Sequence, residues 1–283
     1  MTASEEMMET QAVITLARQE LKISVRSKWT LIFAGVFGAL TLAISYFGLA
    51  TAGTVGFQGF LRTAASLLNL VLYLIPMVAL SMGALSLTGE KGASELLFSQ
   101  PVTRTEILLG KILGLFLSLA AATLFGFGLA GLIVSAHAGP DGVSRFLAVA
   151  GLSLLLALIF LSLGAMAGVL GRTRTRALAF SVFLWFFFVL FYDLLVIGLA
   201  FLFRERTANL FLFLSLFGNP VDLVRVSSLI ALSDTPVFGA AGAALVKFLG
   251  GKAAGSLAVL SALLLWIAGP LFIADRALRK QDV

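Results

Sequence analysis

The sequence contains no cysteine, and His137 is its only histidine. Disulfides, thiolate metal sites and cysteine nucleophiles are therefore excluded, and one imidazole is too few for a zinc or copper centre with three protein ligands. The phosphate-binding loop of nucleotide hydrolases is also missing, because neither Gly110-Lys111 nor Gly251-Lys252 has the upstream glycine or the following hydroxyl residue. We expect no catalytic residue, no metal ion and no cofactor bound by this chain.

Charged residues are the second scarce class, at 12% of the 283 residues against about 25% in soluble domains. Hydrophobic residues reach 60%, and the mean hydropathy is +1.06. So little charge cannot cover a surface in water, and the sequence therefore predicts a polytopic membrane protein. The net charge of +6 does not indicate nucleic-acid binding, because the basic residues are spread between apolar runs, where lipid headgroups and membrane topology use them.

Six apolar segments are long enough to cross a hydrocarbon core about 30 Å thick, which takes roughly 20 helical residues. Runs of this length, rich in leucine and phenylalanine, lack the alternation of barrel strands, so the predicted fold class is all-α. The third run contains Gly126, Gly128 and Gly131, where it could tilt or break. The predicted spans are 30–50, 64–87, 107–135, 146–170, 178–203 and 253–273.

Lysine and arginine are distributed asymmetrically around these spans, which predicts that both termini are cytoplasmic. The two short connections on the opposite side hold only Arg62 and Arg145. The predicted organisation is a cytoplasmic arm (1–29), a membrane domain (30–275) and a cytoplasmic tail (276–283). The basic residues on the cytoplasmic side are Arg18, Lys22, Arg26, Lys28, Lys91, Arg104, Lys111, Arg172, Arg174, Arg176, Arg276, Arg279 and Lys280.

The cytoplasmic arm has a helical pattern of its own. Over residues 13–29, a face that includes Ile14, Ala17, Leu21 and Val25 lies apart from a basic face that includes Arg18. This pattern is typical of an amphipathic helix in the plane of the membrane interface.

The outer loop, 204–252, is too apolar for an ordinary solvated loop. Its stretches Leu210–Phe217 and Val221–Leu232 are separated by Gly218-Asn219-Pro220. We expect two short helices here, re-entrant into the outer leaflet or packed on a partner, before the last span.

Asp193 is the one clear ionisable residue inside a span, where a charge costs about 3 kcal/mol on insertion scales and therefore has a partner or a function. It is either a structural carboxylate paired with Arg204 or Arg62, or a residue that lines a transport pathway. Other residues carry weaker signals. Met77, Met82 and Met166 could contact soft metal ions, although gap filling is their commoner role, and His137 fits a solvated loop.

The connection between the second and third spans, 88–106, is the most informative segment, and we call it the connector. Its sequence predicts a short helix with charges of both signs, ended by Pro101. Thr103 then caps the next helix, with Glu106 in capping-box register. Such a segment is either an ordinary solvated connection or an amphipathic element that receives force from a cytosolic motor protein.

The run from Thr88 to Lys111, TGEKGASELLFSQPVTRTEILLGK, resembles the signature of ABC exporter permeases of the second class (ABC-2 type). It departs from many relatives in its Gly-Ala-Ser-Glu stretch, where they have Gly-Thr-Leu. The likeness covers the layout of essentially the whole chain. It implies that the connector sits in a groove of a separate ATPase subunit, which binds the ATP and magnesium. By position, the contacts with the ATPase would come from Glu90, Lys91, Glu95, Leu96, Leu97 and Arg104.

A narrower resemblance, carried by Gly56–Val71 and Phe217–Asp222, is to the permeases of the transporter that matures the copper sites of nitrous oxide reductase. It implies a bacterial inner membrane, a periplasmic β-helical partner protein and a copper-carrying lipoprotein chaperone. The expected contacts with the outer partner are Asn219, Pro220, Asp222 and Arg225.

These observations predict the membrane subunit of an ATP-driven transporter, working as a homodimer with two copies of an ATPase chain. Two alternatives stay open: an exporter of the same family for a lipid, a drug or an ion, and an ion-coupled secondary transporter that uses Asp193. The sequence leaves the transported substrate undetermined.

Overall fold

The computed structural model of the protein describes residues 3–50, 57–88, 102–232 and 252–280, and within these ranges the chain is helical with no strand. The connector residues 89–101 and much of the outer loop, 233–251, lie outside the described residues. The nine α-helices of the described chain are α1 (Ala3–Val25), α2 (Lys28–Ala50), α3 (Phe57–Leu87), α4 (Arg104–Gly171), α5 (Arg174–Phe186), α6 (Tyr192–Ala200), α7 (Glu205–Ser215), α8 (Pro220–Leu232) and α9 (Lys252–Arg279).

Six helical segments have the length and composition to cross a membrane, which confirms the six predicted spans. A short π-helix, Phe187–Phe191, joins α5 to α6 within the fifth of them. The observed segments are Lys28–Phe47, Thr63–Leu87, Arg104–Leu132, Gly142–Gly171, Arg174–Ala200 and Leu257–Arg279. The protein is therefore a multi-pass membrane protein.

Helix α4 contains the third and fourth spans and turns back on itself between them. The rings of Phe127 and Phe146 are in contact, with centroids 5.4 Å apart. Nineteen residues of straight helix would separate these rings by about 28 Å, so the two spans must lie side by side. The end of the bundle where α3 ends and α4 begins is called the connector end below, and the opposite end, which holds this turn, is called the far end.

Glycines set the closest helix contact, in which α3 lies against the second half of α4. A Cβ atom on Gly164 would lie 2.5 Å from the carbonyl oxygen of Leu80, and one on Gly168 would lie 2.6 Å from that of Ala84. Gly83 on α3 is equally close to the Leu161 carbonyl. Without side chains at these positions the two backbones touch, which places this helix pair at the centre of the hydrophobic core.

The glycines of the third span do not break it, because α4 is helical through all three of them. Gly126 instead makes room for the ring of Phe37, whose nearest atom would lie 2.4 Å from an added Cβ. Thr41 on α2 donates a hydrogen bond to the Gly126 carbonyl at 3.2 Å. This glycine therefore serves the packing of α2 on α4 rather than a bend.

Helix α1 packs along the first turns of α4, and the contact again depends on glycine. A Cβ atom on Gly110 would lie 2.6 Å from the Leu16 side chain, and one on Gly114 would lie 2.6 Å from the Ala17 carbonyl. Ala17 is buried, whereas Ile14 and Val25, predicted to share its face, are exposed. A helix is present here, but it ends at Val25 rather than at residue 29, and its buried face is turned toward α4 and includes Glu20.

Helices α7 and α8 lie in the half of the bundle toward the far end, with their joint near the middle of the spans, and are too short to cross a membrane singly. A 3₁₀ turn, Leu216–Gly218, joins them, and the two are bent by 104°. Asn219 precedes α8 and its side-chain oxygen accepts a hydrogen bond from the Val221 amide at 3.0 Å, while Pro220 occupies the first helical position. The predicted pair of helices separated by Gly218-Asn219-Pro220 is thus present.

Candidate functional site

Two clusters of polar side chains are separated along the bundle, and the first surrounds the start of α4. Thr103 and Glu106 form the predicted capping box: the Thr103 amide donates to Glu106 Oε2 at 2.6 Å, and the Glu106 amide donates to Thr103 Oγ1 at 3.3 Å. The cap fixes the direction in which the chain leaves the connector and enters α4.

An ion pair joins three helices beside this cap. Lys111 on α4 lies 3.1 Å from Glu20 Oε2 on α1, and Ser86 near the end of α3 donates to Glu20 Oε1 at 3.0 Å. Lys111 also donates to the Ser86 hydroxyl at 3.3 Å. Since both charged side chains are largely buried, the pair is less screened than a surface pair. It ties α1 to the last turn before the connector and to the first turns after it.

Removing the Glu20–Lys111 pair is expected to reveal a coupling energy of about 1 kcal/mol. The variants are Glu20→Gln, Lys111→Met and their combination, and the measurement is thermal unfolding of the purified protein in detergent. Each single variant leaves a largely buried charge without its partner, so the double variant should be more stable than the sum of the single effects. Lys22→Met, on the exposed side of α1, is the matched control, and strictly additive effects would contradict the coupling.

The end of α9 is bonded to the first turn of α4. Thr105 Oγ1 donates to Asp275 Oδ1 at 2.7 Å and accepts from Arg279 Nη2 at 2.8 Å. Arg279 also pairs with Asp275 at 2.9 Å, and Arg104 donates to the Leu278 carbonyl. Both ends of the connector are therefore anchored. The end of α3 is bonded to α1, and the start of α4 is bonded to α1 and to α9.

A groove of about 650 Å³ opens between α1, the start of α4 and the end of α9. Its lining includes Thr10 and Val13 from α1 and Arg279 from α9. Arg104, the one predicted ATPase contact among the described residues, also lines it. The other predicted contacts, Glu90, Lys91, Glu95, Leu96 and Leu97, lie outside the described residues.

The second cluster lies beside the middle of the fifth span, at the joint between α7 and α8, and is centred on Asn219. This side chain is fully buried. Its Nδ2 atom donates to the Phe188 carbonyl of the π-helix at 2.9 Å and to Asp222 Oδ2 at 2.9 Å. A π-helix departs from the regular hydrogen-bond ladder, and the amide of Asn219 supplies a donor to the widened segment. Asn219 therefore holds the joint between α7 and α8 against the fifth span.

Asp193 pairs with Arg225, which differs from the two arginines considered from the sequence. Arg225 Nη1 lies 3.1 Å from Asp193 Oδ2 and 2.7 Å from Asp222 Oδ1. One guanidinium thus bridges a carboxylate on α6 and a carboxylate on α8. A pairing of Asp193 with an arginine was expected as one of two interpretations, but the arginine is Arg225 rather than Arg204 or Arg62.

Three further side chains bond to backbone carbonyls in the same half of the bundle. Tyr192 donates to the Ser215 carbonyl at 2.6 Å, and an added Cβ on Gly218 would collide with its hydroxyl. Trp266 on α9 donates to the Phe217 carbonyl at 3.0 Å, and Trp185 donates to the Tyr73 carbonyl at 3.0 Å. Sequence reasoning missed all three, although an indole N–H inside a span always requires an acceptor.

Neither cluster carries the residues of a reaction centre. Among the described residues no group of three or more histidine, aspartate or glutamate side chains is placed to hold a metal ion. Met82 and Met166 pack against the core, in agreement with gap filling, and Met77 is half-exposed. The arrangement is suited to holding helices in fixed relation to one another and to moving them together.

Comparison with known proteins places the chain in a family. Residues 14–283 match the family described as ABC-2 family transporter protein. The chain is 35% identical over 278 residues to a probable ABC transporter permease protein NosY of Pseudomonas aeruginosa, covering 96% of this chain and 99% of the relative. It is 33% identical over 282 residues to the protein of the same name in Stutzerimonas stutzeri, covering 95% and 98%. The chain therefore belongs to the ABC-2 family of transporter permeases, which work with a separate ATPase subunit.

Proposed function

We propose that this chain is the membrane subunit of an ATP-driven transporter in the inner membrane of a bacterium. Two copies form a homodimer, and each binds one ATPase subunit through its connector. The connector end faces the cytoplasm with both termini, and the far end faces the periplasm. The basic residues of the turn between α4 and α5 support this orientation, because Arg172, Arg174 and Arg176 belong to the same side as the connector.

The observation that carries this proposal is the anchoring of both sides of the connector. The Glu20–Ser86–Lys111 contacts hold the chain before and after it, and the Thr105–Asp275–Arg279 contacts hold the start of α4. Because the residues on either side of the connector are bonded to four helices, a push on the connector would be passed to those helices. This geometry favours the force-receiving interpretation of the connector over the ordinary solvated one.

The far end is proposed to act on a periplasmic partner. Helices α7 and α8 would be re-entrant from the outer leaflet. Of the four expected partner contacts, Asp222 and Arg225 are partly exposed, whereas Asn219 and Pro220 are buried and would support the surface that the partner contacts. Helix α1 would lie at the cytoplasmic interface, where its exposed residues Ile14, Ile23 and Val25 can contact lipid.

The proposed role is in the maturation of the copper sites of nitrous oxide reductase, with a β-helical partner and a copper chaperone lipoprotein in the periplasm. Support comes from the two relatives, which share the name NosY and align with this chain over nearly their full length. With one histidine and no cysteine, the chain is suited to transmit motion rather than to conduct copper. The alternative cargoes, a lipid, a drug or an ion, belong to the same transporter class.

Charge reversal at Glu95 tests the docking role of the connector. We expect Glu95→Lys to abolish co-purification with the ATPase subunit and the ATP-dependent activity of the complex, because a charge contact would become a repulsion. The control is Asp141→Lys, the same type of change in the turn between the two spans of α4. If Glu95→Lys leaves assembly and activity at the level of the control, the connector is not the docking element.

The alternative, an ion-coupled secondary transporter that uses Asp193, predicts the opposite dependence on the ATPase. Transport would then persist without any ATPase and would be lost in Asp193→Asn. The Asp193–Arg225 pair favours a structural carboxylate, since a guanidinium occupies the place that a transported cation would need.

A further inference from the structure

Helix α9 contacts both polar clusters. At the connector end, Asp275 and Arg279 bond to the Thr105 hydroxyl. Near the middle of the helix, Trp266 donates to the Phe217 carbonyl, and its ring contacts that of Phe188 with centroids 5.3 Å apart. The helix thus bonds to the first turn after the connector and to the joint between α7 and α8.

The part of α9 between these contacts is long enough to cross about half of the hydrocarbon core. Twelve residues separate Trp266 from Leu278, whose carbonyl accepts the bond from Arg104. This distance is about 18 Å along the helix axis. The backbone of α9 therefore links the two attachments directly.

Two adjacent residues weaken α9 between its attachments. Pro270 has no N–H, so the carbonyl of Trp266, four residues earlier, receives no helical hydrogen bond from it. Gly269 precedes it, and a Cβ added there would meet no atom within 4 Å. Close packing therefore does not require this glycine, although glycine costs up to about 1 kcal/mol against alanine inside a helix. Bending of α9 is easiest at this pair.

We propose that α9 carries motion from the connector to the far end and bends at Gly269-Pro270. A push on the connector moves the first turn of α4, and Thr105 moves the end of α9 through Asp275 and Arg279. The part of α9 before Gly269 then shifts Trp266 against Phe217 and Phe188, which contact the joint between α7 and α8. This inference rests on the proposed function, since it assigns the path by which the ATPase acts on the periplasmic side.

Stiffening α9 tests the path. Gly269→Ala together with Pro270→Ala fills open space and allows the missing helical bond to form, so the variant should fold and assemble. Gly198→Ala is the matched control, because a Cβ there also meets no atom within 4 Å. The reporter is a pair of spin labels at Leu214→Cys on α7 and Leu147→Cys on α4. Both positions are exposed, and the chain has no native cysteine to react.

The distance between the labels is measured in the complex with its ATPase subunit in lipid nanodiscs, without nucleotide and with ATP and vanadate. We expect nucleotide to shift the distance in the parent pair and in the Gly198→Ala control, and the shift to be lost in the stiffened variant while ATP is still hydrolysed. Thr105→Val, which keeps the side-chain size and removes the hydroxyl, should also lose the shift.

The outcomes separate the two proposals. If the parent complex shows the shift and both variants show it equally, α9 does not carry the motion and the inference is wrong. If the parent complex assembles and hydrolyses ATP but shows no shift, action on the far end is wrong, and the inference fails with it.

Discussion

Gly164→Leu is expected to destabilise the protein by about 3 kcal/mol, because overpacking a well-packed helix contact costs 1–3 kcal/mol and occasionally more. The obstacle is the backbone of α3: the first added carbon already lies 2.5 Å from the Leu80 carbonyl oxygen. A backbone atom cannot rotate away as a side chain can, so the two helices must separate. The thermal midpoint in detergent should fall by roughly 10 °C, followed by fluorescence-detected size-exclusion chromatography.

Gly151→Leu on the same helix is the control for this substitution. A Cβ at Gly151 would meet no atom within 4 Å, and the position is exposed. Leucine is the better helix former by close to 1 kcal/mol, so this variant should be as stable as the parent or more stable. Equal losses at the two positions would show that α3 and α4 are not in backbone contact.

Asn219→Asp is expected to destabilise the packing of α7 and α8 against the fifth span by about 4 kcal/mol, although it changes a single heavy atom of the side chain. The Nδ2 donor becomes an oxygen that faces the Phe188 carbonyl and the Asp222 carboxylate at 2.9 Å. Two hydrogen bonds become repulsions inside a fully buried site, where an unpaired charge is most costly. Limited proteolysis and thermal unfolding should both detect the loosened α7 and α8.

Asn209→Asp is the matched control, since it makes the same chemical change at an exposed position of α7. It is expected to change the thermal midpoint little. If Asn219→Asp behaves in the same way, the bond to the π-helix does not hold α7 and α8 in place.

Features that depend on local sequence were predictable. Hydropathy located the six spans because a segment that faces lipid must be apolar over its full length. Thr103 and Glu106 define a capping box by their spacing alone. Gly218-Asn219-Pro220 was expected to interrupt two helices, since Pro220 suits a first helical position and Asn219 suits a cap.

Features that depend on how distant segments meet were not predictable. Arg225 follows Asp193 by 32 residues and reaches it only because α7 and α8 are bent by 104°, which no local pattern encodes. The pattern of α1 separated apolar from basic residues but could not show whether the apolar side meets lipid or protein. The bonds of Glu20 to Ser86 on α3 and Lys111 on α4 show that this side meets protein, and they depend on residues distant in the sequence.

The turn between α4 and α5 is relevant to how many ATPase subunits each permease subunit could bind. It consists of Arg172 and Thr173, and Arg172 adopts a left-handed backbone with φ of 59° that reverses the chain at once. The link between α1 and α2 is equally short, at Arg26 and Ser27. Neither link is long enough to form a docking surface of its own. Under the proposed function, the connector is then the segment left for the ATPase to bind, and the proposed ratio of one ATPase to one permease would follow from the shortness of these two links.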